Sequence, residues 1–159
     1  MSSTAKLTLS DAREIIARAI EKGEEVDWIS AHAVVDEGGN VLSMSRADGA
    51  PSGAAVVARS KAYLAAVTGR PTLMFATRMD AHPLRFHGYQ AILPRPIFPG
   101  PGAVPIIRNG RVIGGYSSNI SSNTSGMKIE IDGRKLSRAD LVNAYAVQMD
   151  YIEQHADVP

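Results

Sequence analysis

Residues 54–67, Ala-Ala-Val-Val-Ala-Arg-Ser-Lys-Ala-Tyr-Leu-Ala-Ala-Val, carry only two charges, Arg59 and Lys61, before Gly69-Arg70-Pro71 supplies a helix stop. A helix lying on a protein surface shows a broad polar face, whereas this one is apolar or small nearly all round. It must therefore be covered on two sides: by a sheet of its own chain, and by a second subunit or another element. A chain of 159 residues has room for one domain of ordinary size, here taken as residues 1–159, and can hardly hold a wholly internal helix. Covering by a second copy makes a homo-oligomer the expected state.

The remaining elements follow from local pattern. Thr8 and Asp11 stand at capping-box spacing, and Ala12, Ile15, Ile16, Ala19 and Ile20 repeat at three and four residues until Gly23, which predicts an amphipathic helix. Trp28–Val35 and Val41–Arg46 flank Asp36-Glu37-Gly38-Gly39-Asn40 and read as a hairpin. Thr72–Asp80 suits a short helix, and Ala81–His87 reads as an exposed loop or irregular turn. Prolines at 94, 96, 99, 101 and 105 exclude helix and central strand, leaving Pro94–Gly102 as a shaped, semi-rigid loop. Val104–Ile107 and Arg111–Tyr116 flank Asn109-Gly110, the strongest short hairpin signal in the chain. Ser117–Ser125 is a polar run suited to a loop, Ile129 and Ile131 before Asp132-Gly133 allow a short extra strand, and a second capping box at Ser137 and Asp140 opens a closing helix to Ile152. The succession of helices and hairpins describes an α+β domain built on an antiparallel sheet.

Composition removes several classes of function. Lys plus Arg less Asp plus Glu is 17 − 16 = +1, so no overall field draws nucleic acid or an anionic membrane. With no cysteine there is no disulfide, thiolate metal site, iron–sulfur cluster or cysteine nucleophile. The first residues lack an apolar run of signal-peptide length, and no window reaches membrane-span hydrophobicity, so a cytoplasmic protein is expected. No Walker loop, dinucleotide fingerprint, EF-hand loop or Gly-x-Ser-x-Gly elbow occurs.

The order of several short segments resembles the GlcG/HbpS-like family. These are Leu7-Thr8-Leu9 with Asp11-Ala12, Ala33-Val34-Val35-Asp36 with Gly38-Gly39-Asn40, Asp48-Gly49-Ala50-Pro51, Ser60-Lys61-Ala62, Gly69-Arg70-Pro71-Thr72, Phe98-Pro99-Gly100, Val104-Pro105-Ile106 and Asn109–Gly114. The resemblance spans about Leu7 to Tyr116. It implies a profilin-like α/β/α fold with a five-stranded antiparallel sheet flanked by helices, assembly into homo-oligomers, and a small ligand that in some members is haem. The chain departs from the family pattern at Gly114-Gly115-Tyr116-Ser117-Ser118-Asn119 and again over Gly126–Lys135, where a loop that helps shape the ligand pocket is rebuilt.

The side chains able to do chemistry are few. His32 lies on the strand face of Ser30 and Val34, either as a haem or metal ligand or as a histidine hydrogen-bonded within the fold. His82 and His87 flank Arg85, with Arg78 and Asp80 just upstream. Imidazole moves protons near neutral pH and guanidinium grips oxyanions bidentately, so this group suits a small carboxylate or phosphate ligand, with His82, His87 and Arg85 as candidate catalytic residues. His-x4-His has no clear third ligand for a metal nearby. Arg46 and Asp48 follow the second strand, and Lys61 needs a partner such as Asp48 or Asp36, an anionic ligand, or an exit to water. Ser117, Ser118, Asn119, Ser121 and Asn123 offer neutral hydrogen bonds to a polar ligand, while His155 sits at a helix end where a cation is favoured. Two functions are expected in order: a small-ligand-binding protein, haem being one candidate, with its pocket near a subunit interface; and a cofactor-independent isomerase, hydratase or lyase of catabolism acting on a small anion.

Overall fold

A computed structural model describes residues 6–25, 28–78, 82–120, 130–131 and 134–135, and the chain divides into two compact units, residues 1–121 and 122–159. In the first unit the order is α1 (Leu9–Glu24), β1 (Ser30–Asp36), β2 (Val41–Arg46), α2 (Ala54–Thr68), α3 (Leu73–Arg78), α4 (Pro83–Ile92), β3 (Ala103–Arg108) and β4 (Arg111–Ile120). The four strands form one antiparallel sheet in the order β2-β1-β4-β3. In the second unit β5 (Glu130–Ile131) pairs only with β6 (Arg134–Lys135), on either side of the Asp132-Gly133 turn signal. The closing helix expected over 137–152, and with it Asp80, Ser121, Asn123 and His155, lies outside the described residues.

Each element forms for a local reason. Thr8 caps α1 in a reciprocal capping box: its hydroxyl accepts from the Asp11 amide at 3.1 Å, and its own amide donates to the Asp11 carboxylate at 2.9 Å. In the first hairpin, Asp36 Oδ1 accepts the amides of Gly38 and Asn40, and Gly39 takes φ +77°. In the second, Asn109 (φ 52°) and Gly110 (φ 72°) supply the two successive left-handed residues that a two-residue turn between twisted strands demands. Pro105 sits in β3, an edge strand, where a missing amide costs no ladder bond.

The sheet is covered on both faces. Ala31, Ala33 and Val35 point toward α2 and join Ala50, Ala54, Ala58, Ala62 and Ala66 in a core of small side chains. Small residues let the helix approach very closely: a Cβ on Gly115 of β4 would lie 2.3 Å from the Ala62 carbonyl oxygen. The opposite face, with Ser30, His32 and Val34, lies under α1, whose Ala12, Ile16, Ala19 and Gly23 are buried. The second cover over α2 comes from the same chain: Tyr63 and Leu64 pack with Ile97, Phe75, Phe86, Tyr89 and Leu93 of α3, α4 and the proline-rich loop.

Three expectations are corrected. The sheet of the described residues has four strands, not five; β5 and β6, two residues each, make a separate ribbon. Ala81–His87 was expected to be a loop, but Pro83 stands at the first turn of α4, where a missing amide is harmless and the fixed φ is already helical. Ser117–Ile120 was expected to be a loop, yet β4 continues through it, because β1 supplies a full partner ladder ending at Ser30 opposite Ile120.

Candidate functional site

Three of the expected site residues meet at one cleft. Arg78 ends α3, His82 stands at the N-cap of α4, and Arg85 lies in the first turn of α4. With Arg70, Met74, Phe75, Phe86 and Tyr89 they line a shallow cleft open to solvent. Its floor is aromatic and half-buried, with Phe75 and Tyr89 packed edge to face at 5.7 Å and 85°. Its rim is cationic: Arg70, Arg78 and Arg85 are exposed and form no ion pair among the described residues, and none of the described lining residues is acidic. An aromatic floor beneath unpaired guanidiniums suits a flat ligand bearing more than one carboxylate or phosphate.

The chain holds this cleft in place through a few polar contacts. Gly69 caps α2 in the left-handed conformation, and buried Thr72 then ties the turn to β3, its amide donating to the Ala103 carbonyl at 2.9 Å and its hydroxyl accepting from the Ala103 amide at 3.1 Å. Arg95, from the proline-rich loop, donates to the Gly39 carbonyl and, at 2.6 Å, to Asn40 Oδ1, with its guanidinium 5.7 Å from the centre of the Tyr63 ring.

The other expected residues lie elsewhere. His87 is exposed on α4, beside the Phe86 ring, and does not line the cleft. His32 is 1% exposed; its Nε2 meets Ser30 Oγ at 2.7 Å and its Nδ1 meets the Tyr116 hydroxyl at 3.0 Å, so both ring nitrogens are engaged within the fold. Burial lowers its pKa to about 4, which keeps it neutral. Lys61 is 2% exposed and donates to two backbone carbonyls, Pro101 at 2.9 Å and Ser118 at 2.8 Å, rather than to Asp36 or Asp48. Desolvation lowers its pKa to about 7. Ser118 is buried on β4 and Asn119 half-buried beside it, while the buried Ser117 hydroxyl has no hydrogen-bond partner among the described residues. Arg46 closes the turn after β2 by donating to the Ala50 carbonyl at 2.5 Å, and Asp48 is exposed in that turn. No group of three potential metal ligands occurs among the described residues.

Arg70, Met74, Phe75, Phe86 and Tyr89 were not singled out from sequence. The signal was present: positions 82, 85, 86 and 89 follow the i, i+3, i+4, i+7 rhythm of one helix face, hidden once the segment is read as a loop.

Comparison with known proteins places these features in a family. The model of the family described as haem degrading protein HbpS-like matches residues 7–119. Protein GlcG of Escherichia coli K12 is 30% identical over 115 residues, 72% of this chain and 81% of that protein. A double mutant of Streptomyces reticuli HbpS superposes with a TM-score of 0.67 at 24% identity, covering 96% of this chain and 90% of that one. The crystal structure of a complex of PduOC with haem superposes with a TM-score of 0.65 at 21% identity, covering 79% of this chain and 90% of that one. At these identities the solved structures establish the mixed α and β fold with its helix-flanked antiparallel sheet. No helix among the described residues is long and apolar enough to cross a membrane.

Proposed function

Because this chain belongs to the HbpS-like family, we propose that it binds a small ligand, haem, in the cleft between α3 and α4. The observation that carries this reading is the cleft itself: three guanidiniums with no carboxylate partner among the described residues, over a floor of aromatic rings, with one imidazole at its mouth. Haem fits that donor set. Its macrocycle is a flat apolar surface for Phe75, Phe86 and Tyr89, its propionates suit Arg70, Arg78 and Arg85, and its iron accepts an imidazole. Among the described histidines His82 is the ring to supply that ligand, since His32 is sealed in the core and His87 lies off the cleft. Haem so held supplies an iron centre for redox or oxygen chemistry, while the chain supplies orientation and charge.

Titration with ferric haem followed at the Soret band tests the reading. A saturable one-to-one shift is expected, with its ligand-field signature lost in His82→Ala and kept in His87→Ala. Absence of a saturable shift, or a signature indifferent to His82→Ala, overturns it.

Self-association belongs to the same reading. Leu84 and Ile92, 84% and 76% exposed on α4, are large apolar side chains away from the cleft lining, and a second copy covering them would bring a subunit interface close to the ligand. Sedimentation of wild type against Leu84→Glu/Ile92→Glu tests this, with a smaller species expected for the variant.

One observation favours the alternative, an isomerase, hydratase or lyase: His82 shares the cleft with Arg78 and Arg85, an acid–base group beside anion clamps. Turnover of small carboxylates with a bell-shaped pH profile, abolished by His82→Ala, would establish it.

A further inference from the structure

We infer that the cleft recognises its ligand through carboxylates and a flat ring system rather than through iron, so that a metal-free dicarboxylate porphyrin binds there much as haem does. The inference rests on the haem reading above and extends it to the class of ligand admitted.

The distribution of contacts carries it. Arg70 comes from the turn after α2, Arg78 from the last turn of α3 and Arg85 from the first turn of α4, so three separate backbone segments aim a guanidinium at one opening. None has a carboxylate partner among the described residues, and none of the described lining residues is acidic. Three guanidiniums around one opening favour a ligand of opposite charge, and protoporphyrin carries two carboxylates. Beneath them Phe75, Phe86 and Tyr89 offer ring contacts to any planar macrocycle, with or without a metal.

Against those six residues stands one group able to reach iron directly as an imidazole, His82, and it is exposed at the N-cap of α4. Among the described residues no second histidine faces it: His32 is held by Ser30 and Tyr116 on the far side of the sheet, and His87 lies off the cleft. Met74 and Tyr89 are the other lining residues with an atom able to ligate iron, so five of the eight described lining residues offer contacts independent of the metal.

The test compares four ligands, ferric haem, metal-free protoporphyrin and the dimethyl ester of each, by intrinsic fluorescence quenching on wild type and on Arg78→Gln/Arg85→Gln. Metal-free protoporphyrin is expected to bind within ~10-fold of haem, and both diesters to lose at least ~10-fold, the value of one charge-assisted contact. The double variant is expected to weaken both free acids by the same factor, and the loss to grow smaller in high salt. Haem binding without protoporphyrin binding, or diesters as tight as the free acids, overturns the inference and leaves the haem reading standing. Failure of both free acids to bind overturns the haem reading itself.

Discussion

His32 and Lys61 are both ionisable groups buried without a counter-ion among the described residues, and each writes its own signature into the pH dependence of stability. For His32 the native pKa is lowered from 6.5 to about 4. The unfolded chain therefore takes up a proton that the native chain refuses, and stability is full above pH 6.5 and falls as pH drops toward 4, by on the order of 3 kcal/mol. Urea unfolding from pH 7 to 4.5 should show that slope in wild type and lose it in His32→Gln. For Lys61 the pKa is lowered from 10.5 to about 7. Stability contributed by this group is complete only above pH 10.5 and declines as pH falls to 7, with a span on the order of 5 kcal/mol. Wild type should thus gain stability between pH 7 and 10, and Lys61→Met should flatten that rise; an unchanged slope would mean that water reaches the ammonium. Sequence pattern placed His32 on the correct strand face, but which of its two roles applied depended on Ser30 and on Tyr116, 84 positions away, a contact that no local pattern contains.

At the scale of elements, the close approach of α2 to the sheet is the most exacting feature. Gly115→Ala would set a methyl 2.3 Å from the Ala62 carbonyl oxygen and 3.1 Å from Ala66 Cβ. The helix must shift, and a loss of about 2–4 kcal/mol is expected in chemical denaturation, whereas Gly53→Ala, with open space at its Cβ, should be near neutral. Elements whose signal is local were legible in the sequence: the capping box of α1, the Asn109-Gly110 turn, the proline-rich loop and the nearly uncharged α2. Elements decided by tertiary pairing were not. The hydroxyl- and amide-bearing residues 117–119 favour loops in isolation, and only the ladder offered by β1 makes them strand. Pro83 looked like a breaker and is an initiator. The cover over α2 was foreseen as a need but not assigned to α3 and α4, because the helical rhythm of positions 82, 85, 86 and 89 is hidden once that segment is read as a loop.

For the whole molecule, ligand binding and stability are linked. A ligand that binds only the folded chain adds about 2.7 kcal/mol at a free concentration 100 times its Kd, so haem should raise Tm in wild type and leave it nearly unmoved in Arg78→Gln/Arg85→Gln. Scanning calorimetry with and without haem distinguishes site occupancy from non-specific adsorption, since adsorption would shift both proteins alike.

Every described residue that lines the cleft falls between Arg70 and Tyr89, one stretch of sequence that begins after α2 and ends before the proline-rich loop. The proposed ligand cleft is therefore a cassette whose described walls include no strand residue. Substitutions at its cationic rim, Arg70, Arg78, His82 and Arg85, can change what is bound without touching the rings that pack on Tyr63 and Leu64 of α2. In evolutionary terms such a chain can keep its architecture and trade its chemistry by changing a short run of residues.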